Sequence, residues 1–183
     1  MTLTTTTTHA TGAGSRAVPA PAAVPAPAEL LKQTLRRHAA GVTVLTVPGP
    51  AGFTATSFTS VSLEPALVSF YLSATASSAE AVRAAAVFAV HVLGEQQQEL
   101  AERFARSGVD RFAGTHWTPG PQDVPLLHGV PAWLTARPVL RQEVGDHLLV
   151  VGEVTGAGGD GRQAPLLHHA GGFGSFRTLP DAG

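Results

Sequence analysis

The stretch F-T-A-T-S-F-T-S-V-S-L-E-P, from Phe53 to Pro65, is where the fold prediction for this 183-residue chain starts. Short hydroxyl side chains stand beside residues that favour β structure, at Thr54, Thr56, Ser57, Thr59, Ser60 and Ser62. A half-buried strand alternates apolar and polar residues, and this stretch does not alternate cleanly. The pattern predicts a strand that breaks into a loop whose polar groups face a ligand. The alternative is an ordinary strand and turn, because threonine favours strands and serine is common in turns.

Composition favours one globular domain and argues against several kinds of protein. Hydrophobic residues make up 44% of the chain, enough for a core, while charged residues make up 14% and the net charge is −1. A general nucleic-acid binder would need a basic face. The absence of cysteine excludes disulfides, thiolate metal sites and cysteine nucleophiles. The N-terminus lacks a secretory signal pattern and no apolar run reaches the length of a membrane span, so we expect a cytoplasmic protein.

Residues 1–28 differ in composition from the remainder of the chain. A threonine run is followed by glycine and alanine and then by A-P-A-A-V-P-A-P-A, residues 20–28. Such a segment has little apolar surface to bury, and its prolines resist helix formation. We therefore predict a disordered tail over residues 1–28 and one folded domain over residues 29–183.

The apolar pattern of the domain predicts mostly strands. Beside the opening stretch, strands are predicted over residues 42–47, 66–72, 87–93, 132–144 and 147–155. Short helices are predicted over residues 30–38, 77–85 and 94–106, the second opening on a capping box from Ser77 to Glu80. Residues 107–131 are rich in glycine and proline and are predicted to be mostly loop. Because helices do not alternate regularly with strands, the pattern favours an antiparallel barrel with helices at its ends.

The last two of these strands carry the clearest turn signal. Gly145 and Asp146 join them, as expected of a hairpin. Pro138 cannot donate to a sheet ladder, so it predicts an edge or a bulge at that position. The glycine-rich residues 156–161 follow a strand, but no helical pattern comes after them, which favours a flexible hairpin over a dinucleotide-binding loop.

The histidines do not predict a metal site or a hydrolase triad. His168 and His169 are adjacent, and adjacent side chains on a strand point to opposite faces. The sequence has no H-E-x-x-H and no G-x-S-x-G nucleophile elbow. His91 stands in an apolar strand, where it is either near a ligand or a buried, hydrogen-bonded histidine. We therefore predict no metal.

Seven segments, in order, resemble one known family. They are G-V-T-V-L-T at 41–46, T-A-T-S-F-T-S-V-S-L-E-P at 54–65, F-A-V-H-V-L at 88–93, E-L-A-E-R-F-A at 99–105, G-D-H at 145–147, V-G-E-V at 151–154 and P-L-L at 165–167. Each segment is only moderately specific, but the ordered set resembles the flavin reductase family over residues 30–176. These are the small reductases that supply reduced flavin to two-component monooxygenases.

The resemblance implies a fold, a reaction and partners. The implied fold is mainly β, an FMN-binding split β-barrel of the antiparallel Greek-key type with short flanking helices, assembled as a homodimer. The implied reaction is hydride transfer from a nicotinamide dinucleotide to FAD or FMN, with FAD slightly favoured and NADH favoured over NADPH. The implied partner is a separate flavin-dependent monooxygenase. The Ala/Pro-rich tail and the preference for arginine over lysine are typical of a GC-rich genome. Reductases of this family in such genomes often serve secondary-metabolite or antibiotic biosynthesis, which is an association rather than a mechanism.

The resemblance also assigns the flavin-binding residues. These are the segment Thr54, Ala55, Thr56 and Ser57 along the ring, with Leu72, then Thr75, Ser77 and Ser78 for the phosphate, and Phe104 and Ala105 at a helix end that closes over the flavin. The alternatives are that Ser77 only caps its helix and that Phe104 is ordinary core. Thr56 stands where the family usually has Asn. The sequence shows no basic clamp at the phosphate site, which favours a flavin used as an exchangeable substrate.

The nicotinamide side of the site is assigned in the same way. His147 is placed beside the nicotinamide pocket as the catalytic residue, where it would orient the nicotinamide or stabilise charge on reduced flavin. The alternative is a turn histidine bound to backbone. Phe173 is placed at the border of that pocket, where the family often has Tyr. Gly172 stands where a cation is common in the family, which favours NADH.

Two competing functions remain at this point. One is an oxidase of the pyridoxamine-phosphate type with tightly bound FMN, which should have a more basic phosphate site. The other is a non-catalytic flavin- or haem-binding module on the same barrel, which the sequence does not exclude.

Overall fold

The computed structural model of the chain describes residues 26–159 and 161–179. Its strands are β1 (Ala40–Gly41), β2 (Thr43–Val47), β3 (Ala51–Ala55), β4 (Thr59–Leu63), β5 (Ala66–Ser73), β6 (Phe88–Val92), β7 (Trp117–Pro119), β8 (Pro125–Leu127), β9 (Ala132–Val144), β10 (His147–Gly158), β11 (Leu166–His169) and β12 (Gly172–Ser175). Its helices are α1 (Pro27–Leu35), α2 (Ala79–Ala84) and α3 (Gln98–Ala105). The described part is mainly β, as predicted. Most of the predicted tail, residues 1–25, lies outside the described residues.

Seven strands form one antiparallel sheet in the order β3-β2-β6-β9-β10-β5-β4. Its two edge strands, β3 and β4, are neighbours in sequence and are joined only by residues 56–58. The four Cα steps from Ala55 to Thr59 span at most about 14 Å. A flat sheet of seven strands is roughly 29 Å wide. The sheet therefore has to curl until its edges meet, which makes it a barrel.

The interior of the barrel contains a cluster of three phenylalanines. The ring of Phe70 lies 5.8 Å from that of Phe53 and 5.2 Å from that of Phe88, measured between centroids, and meets the second edge to face. Gly152 faces this cluster, because a Cβ there would lie 2.4 Å from Cζ of Phe88. A glycine at this position therefore lets β10 pass close to the aromatic core.

A second apolar cluster lies on the outside of the barrel, where α3 packs on β2 and β3. Its buried members include Val44, Ala101 and Phe104. Gly52 of β3 makes the close packing possible, because a Cβ there would lie 2.9 Å from Cε1 of Phe104 and 2.7 Å from the oxygen of Leu45. This packing fixes the end of α3 against the strand that leads into the link between β3 and β4.

The long hairpin of β9 and β10 has the predicted bulge. Leu140 pairs with Val151 and Pro138 with Gly152, so Val139 has no partner in the ladder. A residue without an N–H is accommodated there without loss of a ladder bond. The prediction for residues 156–161 was less accurate, since β10 continues to Gly158 before the chain turns.

All three helix predictions need correction. The first helix runs over Pro27–Leu35 instead of residues 30–38, so it begins within the predicted tail. The capping box at Ser77 is wrong: the N-cap is Ser78, whose hydroxyl makes no capping bond and instead donates to the oxygen of Gly52. The third helix begins at Gln98 rather than at Gly94, because Gly94 bridges to Pro165 and its N–H binds the side chain of Gln97. In the described part, no helix combines the length and apolar character that crossing a membrane requires.

Residues 107–131 contain more order than predicted. A short hairpin of β7 and β8 lies within them, with a 3-10 turn over Pro121–Asp123 between the two strands. Thr46 of β2 donates to the oxygen of Pro125 at 2.6 Å. The segment is therefore tied to the barrel by a buried hydrogen bond.

His91 joins the same hairpin to the barrel. It is fully buried in β6. Its Nε2 accepts from the N–H of Leu127 at 3.0 Å, so its Nδ1 carries the proton and donates to the oxygen of Val44 at 3.0 Å. The bond from Leu127 requires the neutral ring, because a protonated Nε2 could not accept it. Burial lowers the pKa of His91 from 6.5 to about 4.

We expect this histidine to make stability depend on pH in the acid range. The folded protein binds the proton of His91 less tightly than the unfolded chain does, so its contribution is complete above pH 6.5 and is lost as the pH falls towards 4. The pKa difference corresponds to roughly 3 kcal/mol of unfolding free energy. Urea unfolding at a series of pH values would measure it.

The matched variants are His91→Asn and His128→Asn. The first removes the buried titrating group and should flatten the dependence between pH 4 and 6.5, although it lowers stability at pH 7 by removing the acceptor for Leu127. The second changes an exposed histidine and should leave the slope unaltered. An equal slope in the wild type and His91→Asn would contradict the assignment.

Candidate active site

A cleft of about 390 Å³ lies where the two edges of the barrel meet. The link between β3 and β4 forms one wall, and the end of β5, the start of α2, the end of α3 and the start of β10 form the others. Ten of the predicted site residues line it: Thr54, Ala55, Thr56, Ser57, Leu72, Ser77, Ser78, Phe104, Ala105 and His147. The first part of the hydroxyl-rich stretch, Phe53 to Ser57, therefore lines a cleft. That its polar groups face a ligand stays a prediction.

Two hydroxyl groups of the stretch from Phe53 to Pro65 bind the neighbouring walls of the cleft. The hydroxyl of Thr54 donates to the oxygen of Ala101 in α3 at 2.6 Å. Ser57 accepts from the N–H of Tyr71 at 3.0 Å and donates to the oxygen of the same residue at 3.1 Å. Ser57, which lies just before β4, thus bonds both backbone groups of a β5 residue through its side chain. Thr56 between them is exposed.

A cation lies beside the two serines at the start of α2. The guanidinium of Arg111 donates to the hydroxyl oxygens of Ser77 at 3.1 Å and Ser78 at 3.2 Å. It also donates to the backbone oxygens of Gly52 at 2.9 Å and Arg106 at 2.8 Å. Among the ion pairs of residues 26–159 and 161–179, none includes Arg111. A charge that binds only neutral acceptors, next to two hydroxyls, suits an anion such as phosphate.

His147 lies at the first position of β10, opposite Ser73 of β5. Its Nδ1 is 2.7 Å from Oδ1 of Asp146, and its side chain is 45% exposed. The hydrogen bond to His147 holds the pKa of the exposed Asp146 carboxyl below its usual value. The carboxylate therefore favours a proton on Nδ1 and leaves Nε2 as the ring nitrogen for a ligand.

Two predicted site residues do not line the cleft. Thr75 is exposed next to it, with its hydroxyl 3.2 Å from that of Ser73, which does line the cleft. Phe173 belongs to the separate sheet β1-β11-β12, where its ring lies 5.6 Å from that of His168 and packs against the outer cluster. Its role at a nicotinamide pocket stays a prediction.

Arg111 was not predicted as a site residue. The sequence showed no basic clamp at the expected phosphate site, and residues 107–131 were predicted to be mostly loop. The available signal was weak: one arginine next to an aromatic residue, after a helix, in a chain with only 12 lysines and arginines. Tyr71, Ser73, Ala76 and Ser107 also line the cleft, and no pattern in the sequence marks them.

The residues present fit a flavin. Arg111 and the hydroxyl of Ser77 can donate to a phosphate, and Ser78, whose own hydroxyl donates to Gly52, lies beside them. The side chains of Ala55, Leu72 and Phe104 supply apolar surface for a flat ring. Within the described residues, His, Asp and Glu side chains do not gather in a group of three that could hold a metal ion.

Comparison with known proteins agrees with this chemistry. The family model described as flavin reductase like domain matches residues 35–177. The NADH:FMN oxidoreductase of Rhodococcus qingshengii is 48% identical, over 81% of this chain and 81% of that protein. The reductase subunit HsaB of a flavin-dependent monooxygenase of Rhodococcus jostii is 34% identical, over 81% of this chain and 80% of that protein.

A solved structure shows the same fold. The NADH:FAD oxidoreductase SgcE6 of Streptomyces globisporus, in complex with NAD and FAD fragments, superposes with a TM-score of 0.79. It is 36% identical, over 90% of this chain and 100% of that chain. The predicted split-barrel fold is thereby confirmed. The chain belongs to the flavin reductase family, whose members are oxidoreductases that act on flavin.

Proposed function

We propose that this protein is an NADH-dependent flavin reductase that uses an exchangeable flavin as its substrate. FAD is slightly favoured over FMN, and the reduced flavin passes to a separate monooxygenase. The observation that carries the proposal is one cleft that holds both Arg111, which has no ion-pair partner among the described residues and lies beside two serine hydroxyls, and His147, whose ring is bonded through Nδ1.

In this proposal the chain binds both substrates and positions them. Arg111, Ser77 and Ser78 bind the flavin phosphate, and the wall of Ala55 and Phe104 holds the ring. The flavin supplies the ring atom that accepts the hydride from the nicotinamide, so no protein nucleophile is needed. The work of the protein is to bring two rings together in a reactive orientation and to keep water from between them.

His147 contributes a directed hydrogen bond. Asp146 fixes the ring through Nδ1 at 2.7 Å, and Nε2 then accepts a hydrogen bond from the nicotinamide amide. The contact needs no change in the protonation of the protein. Because His147 is partly exposed, it can adjust its position when the dinucleotide enters and leaves.

The structure of the cleft supports an exchangeable flavin. The hydroxyl groups of Thr54 and Ser57 are engaged in bonds that hold the walls, so the ring relies on backbone groups and apolar contact. Arg111 gives the phosphate site one cation rather than a basic cluster. Moderate binding of this kind lets product release keep pace with turnover.

The comparisons support the proposed partners. HsaB is by name the reductase subunit of a flavin-dependent monooxygenase, and SgcE6 was solved with an NAD fragment.

We also propose a homodimer, because Leu31 and Leu35 of α1 and Leu63 of β4 are 59%, 54% and 88% exposed and would be covered by a second copy. Light scattering that gives the mass of a single chain would contradict the dimer. A role in antibiotic biosynthesis stays a prediction from composition.

The direct test is flavin-dependent oxidation of NADH. The purified protein is mixed with NADH and free FAD or FMN without oxygen, and absorbance at the nicotinamide band is followed. We expect oxidation that requires added flavin, is faster with NADH than with NADPH, and occurs with protein that loses its flavin on gel filtration. If no flavin-dependent oxidation of NADH is observed, the reductase is ruled out. Flavin colour that stays with the protein through the column would favour a tight FMN enzyme or a binding module.

Arg111→Gln should weaken flavin binding through the phosphate. Loss of a charge-assisted hydrogen bond of about 2 kcal/mol predicts a rise in the flavin KM of roughly thirtyfold, with the KM for NADH nearly unchanged. Arg111→Lys should recover part of the loss. Arg83→Gln is the control, since Arg83 is an exposed arginine of α2 that pairs with Glu143. Equal flavin KM values in Arg111→Gln and the wild type would exclude the phosphate role.

His147→Ala should impair the reaction with NADH rather than the binding of flavin. Removing one hydrogen bond of about 1.4 kcal/mol predicts a KM for NADH about tenfold higher, or a turnover reduced to the same extent, with flavin binding kept. His128→Ala changes an exposed histidine outside the cleft and should alter neither. If steady-state kinetics of His147→Ala match the wild type in both constants, His147 has no part in the reaction.

A further inference from the structure

A second, smaller cleft of about 230 Å³ adjoins the first. Ser77, Ser78 and Arg111 line both clefts. The guanidinium and the two serine hydroxyls therefore form the wall between them. A phosphate group bound by Arg111 would lie at this junction, and whatever is attached beyond that phosphate would continue into the second cleft.

The size of the second cleft suits part of a ligand. Pockets that hold a complete drug-sized molecule begin at about 300 Å³, and this cleft is smaller. FMN ends at its phosphate, whereas FAD continues through a second phosphate to an adenosine. Of the two flavins, only FAD has a group that could fill the space beyond Arg111.

The lining of the second cleft suits an adenosine. Pro50, Val109 and Phe112 offer apolar surface to a flat base. Asp110 adds one carboxylate, whose Oδ1 accepts from the N–H groups of Phe112 at 2.9 Å and Ala113 at 3.2 Å. These bonds fix the carboxylate and leave its other oxygen as an acceptor for ribose hydroxyls, a contact that carboxylates make in nucleotide sites. A negative charge here disfavours a further phosphate and favours a neutral sugar.

We propose that the cleft lined by Pro50, Ala51, Val109, Asp110 and Phe112 binds the adenosine half of FAD and gives the protein its preference for FAD over FMN. The inference rests on the proposed function, because it places the flavin ring and first phosphate in the larger cleft. It makes Arg111 the residue at which the two halves of the dinucleotide meet.

Val109→Trp tests the proposal by filling the second cleft. Val109 is 48% exposed, so the fold tolerates a larger side chain. Calorimetric titration should show FAD binding about tenfold weaker and FMN binding unchanged, since only FAD reaches past Arg111. Val139→Trp is the matched control, because Val139 is 47% exposed on β9 and lines neither cleft. It should bind both flavins as the wild type does.

Adenosine gives an independent measurement on the unaltered protein. Because it lacks phosphate, it should compete with FAD and leave FMN binding unaffected. For Val109→Trp, the proposal would be overturned if FAD and FMN binding weakened together or if neither changed. It would also be overturned if only the KM for NADH rose, because the cleft would then belong to the nicotinamide dinucleotide. Binding is measured without NADH, so a protein that prefers FAD but does not oxidise NADH would refute the proposed reductase and keep this inference.

Discussion

The structure depends on the shortness of the link between β3 and β4. Residues 56–58 join the two edges of a seven-stranded sheet, and a chain of that length cannot cross a flat sheet. Closing the barrel brings Phe53 onto Phe70 inside and sets Ser57 against the backbone of Tyr71 at the seam. The cleft lies along this seam, where Ser57 in the link bonds to the backbone of β5 and β3 and β4 are not neighbours in the ladder.

The cluster of Arg111, Ser77 and Ser78 is built from distant segments of the chain that meet at Gly52. Gly52 lies on β3 just before the link, and its oxygen receives bonds from both Ser78 and Arg111. Its missing side chain also lets Phe104 approach, which sets the end of α3 and the loop that carries Arg111. One glycine thus positions the helix end, the cation and the serine.

Sequence patterns predicted those features of the structure that depend on local chemistry. The hairpin at Gly145, the bulge at Pro138 and the hydroxyl-rich wall follow from turn preferences, a missing N–H and residue type. The site residues came from a family resemblance carried by ordered segments. Arg111 could not be predicted, because its position depends on long-range packing of a loop on α2. Ser77 was predicted as a helix cap for the same reason, since the competing partner for its hydroxyl was not visible in sequence.

The hydroxyl groups of the opening stretch have a different role from the one that sequence suggests. A row of serines and threonines indicates direct ligand contacts, yet those of Thr54 and Ser57 bind backbone oxygens of α3 and β5. They hold the walls of a groove whose ligand contacts are then left to backbone, apolar side chains and Arg111. A wall held in this way is rigid before a ligand arrives, so binding loses little conformational entropy. With few polar contacts to break on release, such a site is suited to a flavin that has to leave after each turnover.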